Sequence, residues 1–226
     1  MKNHPSEPSR RATFCLARCL ILCWLALLAT GAHAATILVV GDSLSAGFGI
    51  RQEDAWPSLL QKRLHNSRST AIRKHRVINA SISGETTAGG RSRLAGLLGQ
   101  HRPQIVIVEL GANDGLRGLS LNTMRDNLTG MLTQIRQTGA RAILVGMRLP
   151  PNYGAYAIDF GQHFTTIAQQ TKTPLVPFLL DRLEQGPTHF LADGLHPTRE
   201  AQPIILDNIW PALQPMLASA DAITAR

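Results

Sequence analysis

Cysteine is nearly missing from this chain of 226 residues, and its three copies, Cys15, Cys19 and Cys23, all lie close to the N-terminus. Past position 23 there is no thiol nucleophile, no disulfide and no cysteine ligand for a metal. Charged residues make up only 17% and aromatic residues 5%, while 44% of the chain is hydrophobic. Such a composition excludes a disordered, solvating chain. The scattered basic residues, with no aromatic stripe between them, do not fit a nucleic-acid surface. There is no glycine period or heptad run of a fibrous protein, no Lys-Ser/Thr pair to complete a P-loop and no helical His-Glu-x-x-His of a zinc hydrolase. What remains is one globular domain of ordinary size with ample chain to bury a core, carrying a formal charge of +8 and an isoelectric point near 10.2.

The N-terminus is expected to be a leader. Lys2, Arg10, Arg11 and Arg18 stand against a single Glu7, followed by an apolar run over 20–28 and the small residues Ala29, Thr30, Gly31 and Ala32. This charged, apolar, small order is that of a secretory signal, with Ala32-His33-Ala34 as an A-x-A cleavage site. The apolar core is shorter than the roughly 20 residues a membrane anchor requires. Ser9-Arg10-Arg11 resembles the start of a twin-arginine signal, but Phe14 sits one place late, so the general secretory route is expected. Cleavage over 1–34 takes away four of the 23 basic residues, one of the 15 acidic ones and every cysteine, and lowers the formal charge from +8 to +5. The working domain is then 35–226, exported to the periplasm or beyond.

Along that domain, short β-branched runs alternate with stretches of helical period. Strands are predicted at 36–40, 77–80, 104–110, 141–147 and 175–179, with helices at 56–64, 93–100, 121–137, 155–170 and 199–217. Consecutive parallel strands need long right-handed crossovers, so the expected fold class is α/β: a three-layer α/β/α sandwich with about five parallel strands, flavodoxin-like in architecture. Such sheets bind ligands at the carboxyl ends of their strands. The polar and glycine-rich clusters stand there: Gly41-Asp42-Ser43, Ser83-Gly84-Glu85, Gly111-Ala112-Asn113-Asp114 and, after the fifth strand, Asp193-Gly194-Leu195-His196.

Each cluster alone has a plain structural reading. Gly41 to Gly47 serves equally as a helix cap, an anion cradle or a turn that exposes the Ser43 hydroxyl above the sheet. It departs from the G-x-S-x-G elbow because position 45 is Ser. A serine nucleophile needs a base, and the base an orienting carboxylate. Asp193 and His196, three apart on a turn eased by Gly194 and stiffened by Pro197, fit that need, or form a local structural pair, or with His189 a zinc site. Gly84 and Asn113 are either ordinary turn residues or a backbone and a side-chain donor for a tetrahedral oxyanion.

Taken in order, Gly41-Asp42-Ser43-Leu44-Ser45, Gly84 within 79–87, Gly111-Ala112-Asn113-Asp114-Gly115-Leu116-Arg117-Gly118 and Asp193-Gly194-Leu195-His196-Pro197 resemble the four blocks of the SGNH (GDSL) hydrolases. Within that superfamily the chain is most similar to the bacterial periplasmic multifunctional thioesterase group, whose members also act as arylesterases and lysophospholipases. The resemblance extends through 148–154 and 201–203. It implies Ser43 as nucleophile, His196 as base and then acid, and Asp193 as the orienting carboxylate. It further implies an oxyanion hole from the Ser43 N–H, the Gly84 N–H and the Asn113 amide, with Asp42 as a structural brace. Ala112 stands where close relatives often have Gly.

The expected reaction is cleavage of carboxylic esters and thioesters (acyl-CoA thioesters, aryl esters, lysophospholipids) through an acyl-serine intermediate, with no cofactor and no metal. With a neutral imidazole as base, activity is expected to rise through roughly pH 6.5. The related acyl grooves imply substrate contacts at Leu116, Leu149, Pro150 and Tyr153, and a medium or long acyl chain. Two alternatives stand beside this: a carbohydrate or peptidoglycan O-acetyl esterase with the same triad, and a non-enzymatic flavodoxin-like module that binds an anion at Gly41 to Gly47. The expected partner is a small acyl substrate, with no nucleic acid, no stable membrane anchor, transient contact with anionic lipid, and a monomeric state.

Overall fold

A computed structural model describes residues 34–184, 186 and 188–223, so the expected leader lies outside the described residues except for Ala34. Among the described residues, five strands form one parallel sheet: β1 (Thr36–Gly41), β2 (Arg76–Asn79), β3 (Ile105–Glu109), β4 (Arg141–Val145) and β5 (Leu175–Val176). Their spatial order is β2-β1-β3-β4-β5. β1 and β3 sit in the middle, and a strand covered on both faces reads as an unbroken apolar run, as Ile-Val-Ile-Val at 105–108 does.

The described residues also form eight α-helices: α1 (Ser43–Ala46), α2 (Trp56–His65), α3 (Thr70–Arg73), α4 (Thr87–His101), α5 (Ala112–Leu116), α6 (Leu121–Gln137), α7 (Ala155–Thr171) and α8 (Gln202–Ile223). α4, α6 and α7 pack side by side on one face of the sheet, and α2 packs with α8 on the other. Each buries one stripe. α6 places Met124, Leu128, Met131, Leu132 and Ile135 inward at helical spacing, and Ser120 caps its start by accepting the Thr123 N–H. α2 buries Trp56, Leu60 and Leu64; truncating a fully buried leucine of this kind costs about 2–5 kcal/mol. Phe160 and Phe164 of α7 meet edge to face with centroids 5.3 Å apart.

Crossovers leave β1 toward β2 and β3 toward β4 in opposite directions, so the strand order reverses between β1 and β3, where a crevice opens at the carboxyl ends. In register, Gly41 is the partner of Glu109, which brings the two strand ends level beneath that crevice.

Several boundaries differ from the sequence expectation. α4 begins six residues earlier than the predicted 93, because Thr86 accepts the Gly89 N–H and starts a helix through a glycine pair of poor intrinsic propensity. It ends at His101 through Arg102 in the left-handed region (φ 42°), one residue before Pro103. β5 is two residues, not five, since Pro177 has no N–H to continue the ladder. α8 starts at Gln202 and runs through Pro211 and Pro215, carried by the burial of Ile205, Leu206, Ile209 and Leu213. Among the described residues no helix is long and apolar enough to cross a membrane.

Candidate active site

The turn after β1 is built tightly. A Cβ on Gly41 would stand 2.7 Å from Glu109 Oε2 and 2.8 Å from Ser45 Oγ, so only glycine fits there. Asp42, fully buried, caps α1 by accepting the Leu44 N–H on Oδ1 at 3.0 Å. Ser43 therefore opens α1 half-buried at the crevice, and the short helix closes on Gly47 in the left-handed conformation.

The opposite wall is the segment 190–197, pinched at its base by an antiparallel bridge between Phe190 and Pro197 and by the Leu191 N–H bonded to the His196 carbonyl at 2.8 Å. Within it, Asp193 Oδ1 accepts the Leu195 and His196 N–H groups at 2.9 and 3.0 Å, and Oδ2 lies 2.7 Å from His196 Nδ1. The His196 and Leu195 backbone bonds and the imidazole hold the Asp193 carboxyl down at about 2, so it is ionised and can only accept. His196 Nδ1 must then carry the proton, which leaves Nε2 to accept from Ser43 Oγ at 2.9 Å. The Phe48 ring, half-exposed, tilts over the imidazole with centroids 4.4 Å apart. Ser43, His196 and Asp193 thus form one chain of two hydrogen bonds, able to move a proton off the serine hydroxyl.

Gly84 and Asn113 come to the same crevice. Gly84, on the loop after β2, has φ +78°, a conformation glycine adopts without strain. Among the described residues neither its N–H nor that of Ser43 has a hydrogen-bond partner. Asn113, on α5 after β3, donates one amide hydrogen to Asp42 Oδ2 at 3.0 Å and keeps the other. Two cross-links tie these loops together: Asp114 accepts the Thr87 N–H and hydroxyl at 2.8 and 2.6 Å, and Arg117 donates to the Gly84 carbonyl at 2.9 Å. Glu85, next to Gly84, is paired with Arg93.

Residues 39–203 match the family model described as "GDSL-like Lipase/Acylhydrolase family". The chain belongs to that family. This GDSL hydrolase is 46% identical over 194 residues to esterase TesA of Pseudomonas aeruginosa, covering 85% of this chain and 94% of that one. A crystal structure of TesA superposes with a TM-score of 0.76 at 46% identity, over 80% of this chain and 99% of the other. Against the arylesterase of Vibrio mimicus the identity is 44% over 174 residues, covering 76% and 84% of the two chains. The thioesterase 1/protease 1/lysophospholipase L1 of Escherichia coli is 40% identical over 196 residues, covering 86% and 91%. The protein is an SGNH hydrolase close to the TesA-type esterases, with the three-layer α/β/α fold, and acts on ester bonds.

The four residues read as substrate contacts in this GDSL hydrolase are less concentrated. Leu149 lines a groove of about 550 Å³ with Arg148, Pro151, Gly154, Ala157 and Ile158, while Leu116, Pro150 and Tyr153 are not on its wall. Tyr153 instead donates its hydroxyl to the Leu116 carbonyl at 3.2 Å. His189 of the zinc alternative accepts the Glu184 N–H on Nδ1 at 3.0 Å. Sequence reasoning passed over Glu109, Ser45, Thr87 and Asp114, all buried at the crevice. A signal for Glu109 was present: it is the one acidic residue in the otherwise apolar strand β3.

Proposed function

We propose that this hydrolase works by two-step acyl transfer on Ser43, with His196 as base and then acid and Asp193 holding the imidazole. The observation that carries this reading is the unbroken run Ser43 Oγ to His196 Nε2 at 2.9 Å and His196 Nδ1 to Asp193 Oδ2 at 2.7 Å. Ser43 attacks the ester carbonyl, its proton passes to Nε2, and the oxyanion is met by the N–H groups of Ser43 and Gly84 and the free amide hydrogen of Asn113. Protonated His196 then gives the proton to the departing alcohol or thiol. Water, activated by the same imidazole, releases the acid and restores Ser43.

The proposed substrates are aryl esters, acyl thioesters and lysophospholipids with a medium or long acyl chain running past Leu116, Leu149, Pro150 and Tyr153. The names of the relatives support this breadth, and the Tyr153 to Leu116 bond joins the end of α5 to the segment that carries Leu149, Pro150 and Tyr153. Residues 1–34 are proposed as a cleaved secretory signal and 35–226 as one exported, periplasmic domain. It works as a monomer and touches anionic lipid only in passing.

The test is an acyl-length series of p-nitrophenyl esters on the purified 35–226 protein, with a fluorophosphonate probe and a Ser43→Ala control. Preference for chains of eight or more carbons with labelling confined to Ser43 is expected. Turnover of acetate alone would replace the substrate reading with the O-acetyl esterase one, and a labelled Ser43→Ala protein would remove the nucleophile.

A further inference from the structure

Behind the nucleophile turn lies a carboxyl that the two-step mechanism does not use. Glu109 ends β3 and is fully buried. Its Oε2 accepts the Ser45 hydroxyl at 2.6 Å and the Asp42 N–H at 3.3 Å, one residue to either side along the turn that holds Ser43 and Leu44. Ser45 Oγ in turn accepts the Trp56 Nε1–H at 3.2 Å, so α2 is tied into the same knot. Asn79 of β2 closes it from the other side, donating to the Ser45 carbonyl at 2.7 Å. The space is filled to contact, since a single added carbon on Gly41 would strike both Glu109 Oε2 and Ser45 Oγ. The remaining oxygen, Oε1, is buried with no partner among the described residues.

We propose that Glu109 is a positioning residue for the nucleophile: it sets the Ser43 turn through Ser45 and the Asp42 backbone, and it does so as an uncharged carboxylic acid. The proposal rests on Ser43 being the nucleophile. The geometry favours the neutral form because, among the described residues, Glu109 forms no ion pair and one of its oxygens has no donor, whereas a buried charge is stable only when paired and fully hydrogen-bonded. The second carboxyl in the crevice, Asp42, has what Glu109 lacks: a donor on each oxygen, from Leu44 and Asn113, and His196 nearby. Two buried carboxyls this close do not both ionise, so the charge settles on Asp42 and the proton on Glu109. Burial and then the charge of Asp42 push the Glu109 carboxyl well above the usual range, and burial raises Asp42 to about 6. Asp114 adds a further negative charge facing Asp42, while the Ser45 hydroxyl that faces Glu109, and the Trp56 indole behind it, are neutral.

The consequence is a division of labour. Asp42, ionised at neutral pH, orients the Asn113 amide and faces the imidazolium that forms on His196. Glu109, neutral, fixes the backbone from which the Ser43 hydroxyl projects without adding a second negative charge beneath a site where an oxyanion develops.

Three variants of the 35–226 protein test this: Glu109→Gln, Glu109→Leu and Ser45→Ala. Each is assayed for kcat and KM on p-nitrophenyl butyrate, for the rate of fluorophosphonate labelling, for the pH profile of kcat/KM and for folding by circular dichroism. Glu109→Gln keeps a neutral acceptor and is expected to retain kcat to within about threefold, with the acidic limb of its profile moved by less than ~0.5 pH. Glu109→Leu is expected to lose about 10²-fold in kcat and in labelling rate with KM nearly unchanged, the pattern of a misaimed nucleophile. Should Glu109→Leu not fold, Ser45→Ala cuts the same link from the other end and is expected to lose about tenfold in kcat, again without a KM change. A Glu109→Gln protein as slow as Glu109→Leu, or one whose acidic limb falls by more than ~0.5 pH, would mean a charged Glu109 and overturns the proposal. So does a folded Glu109→Leu, or a Ser45→Ala protein, that works at the full rate. Failure of the Ser43 reading itself shows separately, as labelling that survives Ser43→Ala.

Discussion

Asp193 and His196 are joined by hydrogen bonds that never leave one four-residue turn, and the Asp193 side chain is 39% exposed. Ser43 stands on a buried turn whose braces come from afar: Glu109 is 67 residues from Asp42 and 64 from Ser45, and Asn113 is 71 from Asp42. One half of the site is a local structure laid on the surface, while the other exists only because β1 and β3 end side by side. The difference decides what a substitution does. In the exposed half, solvent replaces lost hydrogen bonds and the damage stays chemical. In the buried half a lost bond leaves a polar group without a partner, so chemistry and stability fall together.

The largest effect belongs to Ser43→Ala, which is expected to cut kcat/KM by about 10⁴-fold or more and to abolish fluorophosphonate labelling, with the thermal midpoint little changed because the hydroxyl itself opens on the crevice and its loss leaves no buried group unpaired. Asp193→Ala comes next. A loss of about 10³-fold with no more than about 1 kcal/mol of unfolding free energy, water replacing most of what the exposed carboxylate's hydrogen bonds supply, marks the base half as local; a larger stability loss would break the comparison.

Asn113→Ala sharpens the contrast from the other side. It should cost about 10²- to 10³-fold in kcat, and by removing a donor from buried Asp42 it should also cost about 1–3 kcal/mol of stability, read by urea titration. An unchanged stability would show that Asp42 is not held as described.

The smallest effect is a pH dependence. Asp42 titrates near 6 in the folded protein because of burial, above the 3.8 of an unfolded aspartate, so the folded state keeps a proton that the unfolded chain releases in between. Its stabilising contribution is full below about pH 4 and lost as the pH rises through 6. Asp42→Asn cannot ionise, so relative to wild type its unfolding free energy should improve by up to about 3 kcal/mol between pH 4 and 7. Asp193 runs the opposite way. Held at about 2 by the His196 and Leu195 N–H groups, it stabilises above about pH 4 and loses that effect as the pH falls through 2. If the two pH dependences had the same sign, the buried and exposed halves would not differ as argued.

Where the sequence was legible, the signal was local. α6 came out at 121–137 from its periodicity alone, and β1 and β3 from their β-branched runs, because those patterns are set by neighbours along the chain. Periodicity alone starts α4 six residues late, since its first turn depends on a cap at Thr86 and on Asp114, a partner 27 residues from Thr87. The same holds in the crevice. Ser43, Gly84, Asn113, Asp193 and His196 stood out as polar clusters after apolar strands, whereas Glu109 was absorbed into the strand it ends. Leu116, Leu149, Pro150 and Tyr153 are implied as substrate contacts by the resemblance to related acyl grooves, and which of them share a wall depends on how α7 and the sheet pack.

By itself, then, the amino-acid order determined the alternation of strand and helix, the side of the sheet on which polar residues gather and the short-range pairing of Asp193 with His196, since each is a matter of period or of a few residues' spacing. Only the tertiary structure decided which carboxyl stands behind the serine. Gly41 and Glu109 become neighbours through a sheet register that no local pattern encodes, and the donors that reach each buried carboxyl at that junction, rather than residue type, separate a carboxyl that carries charge from one that keeps its proton.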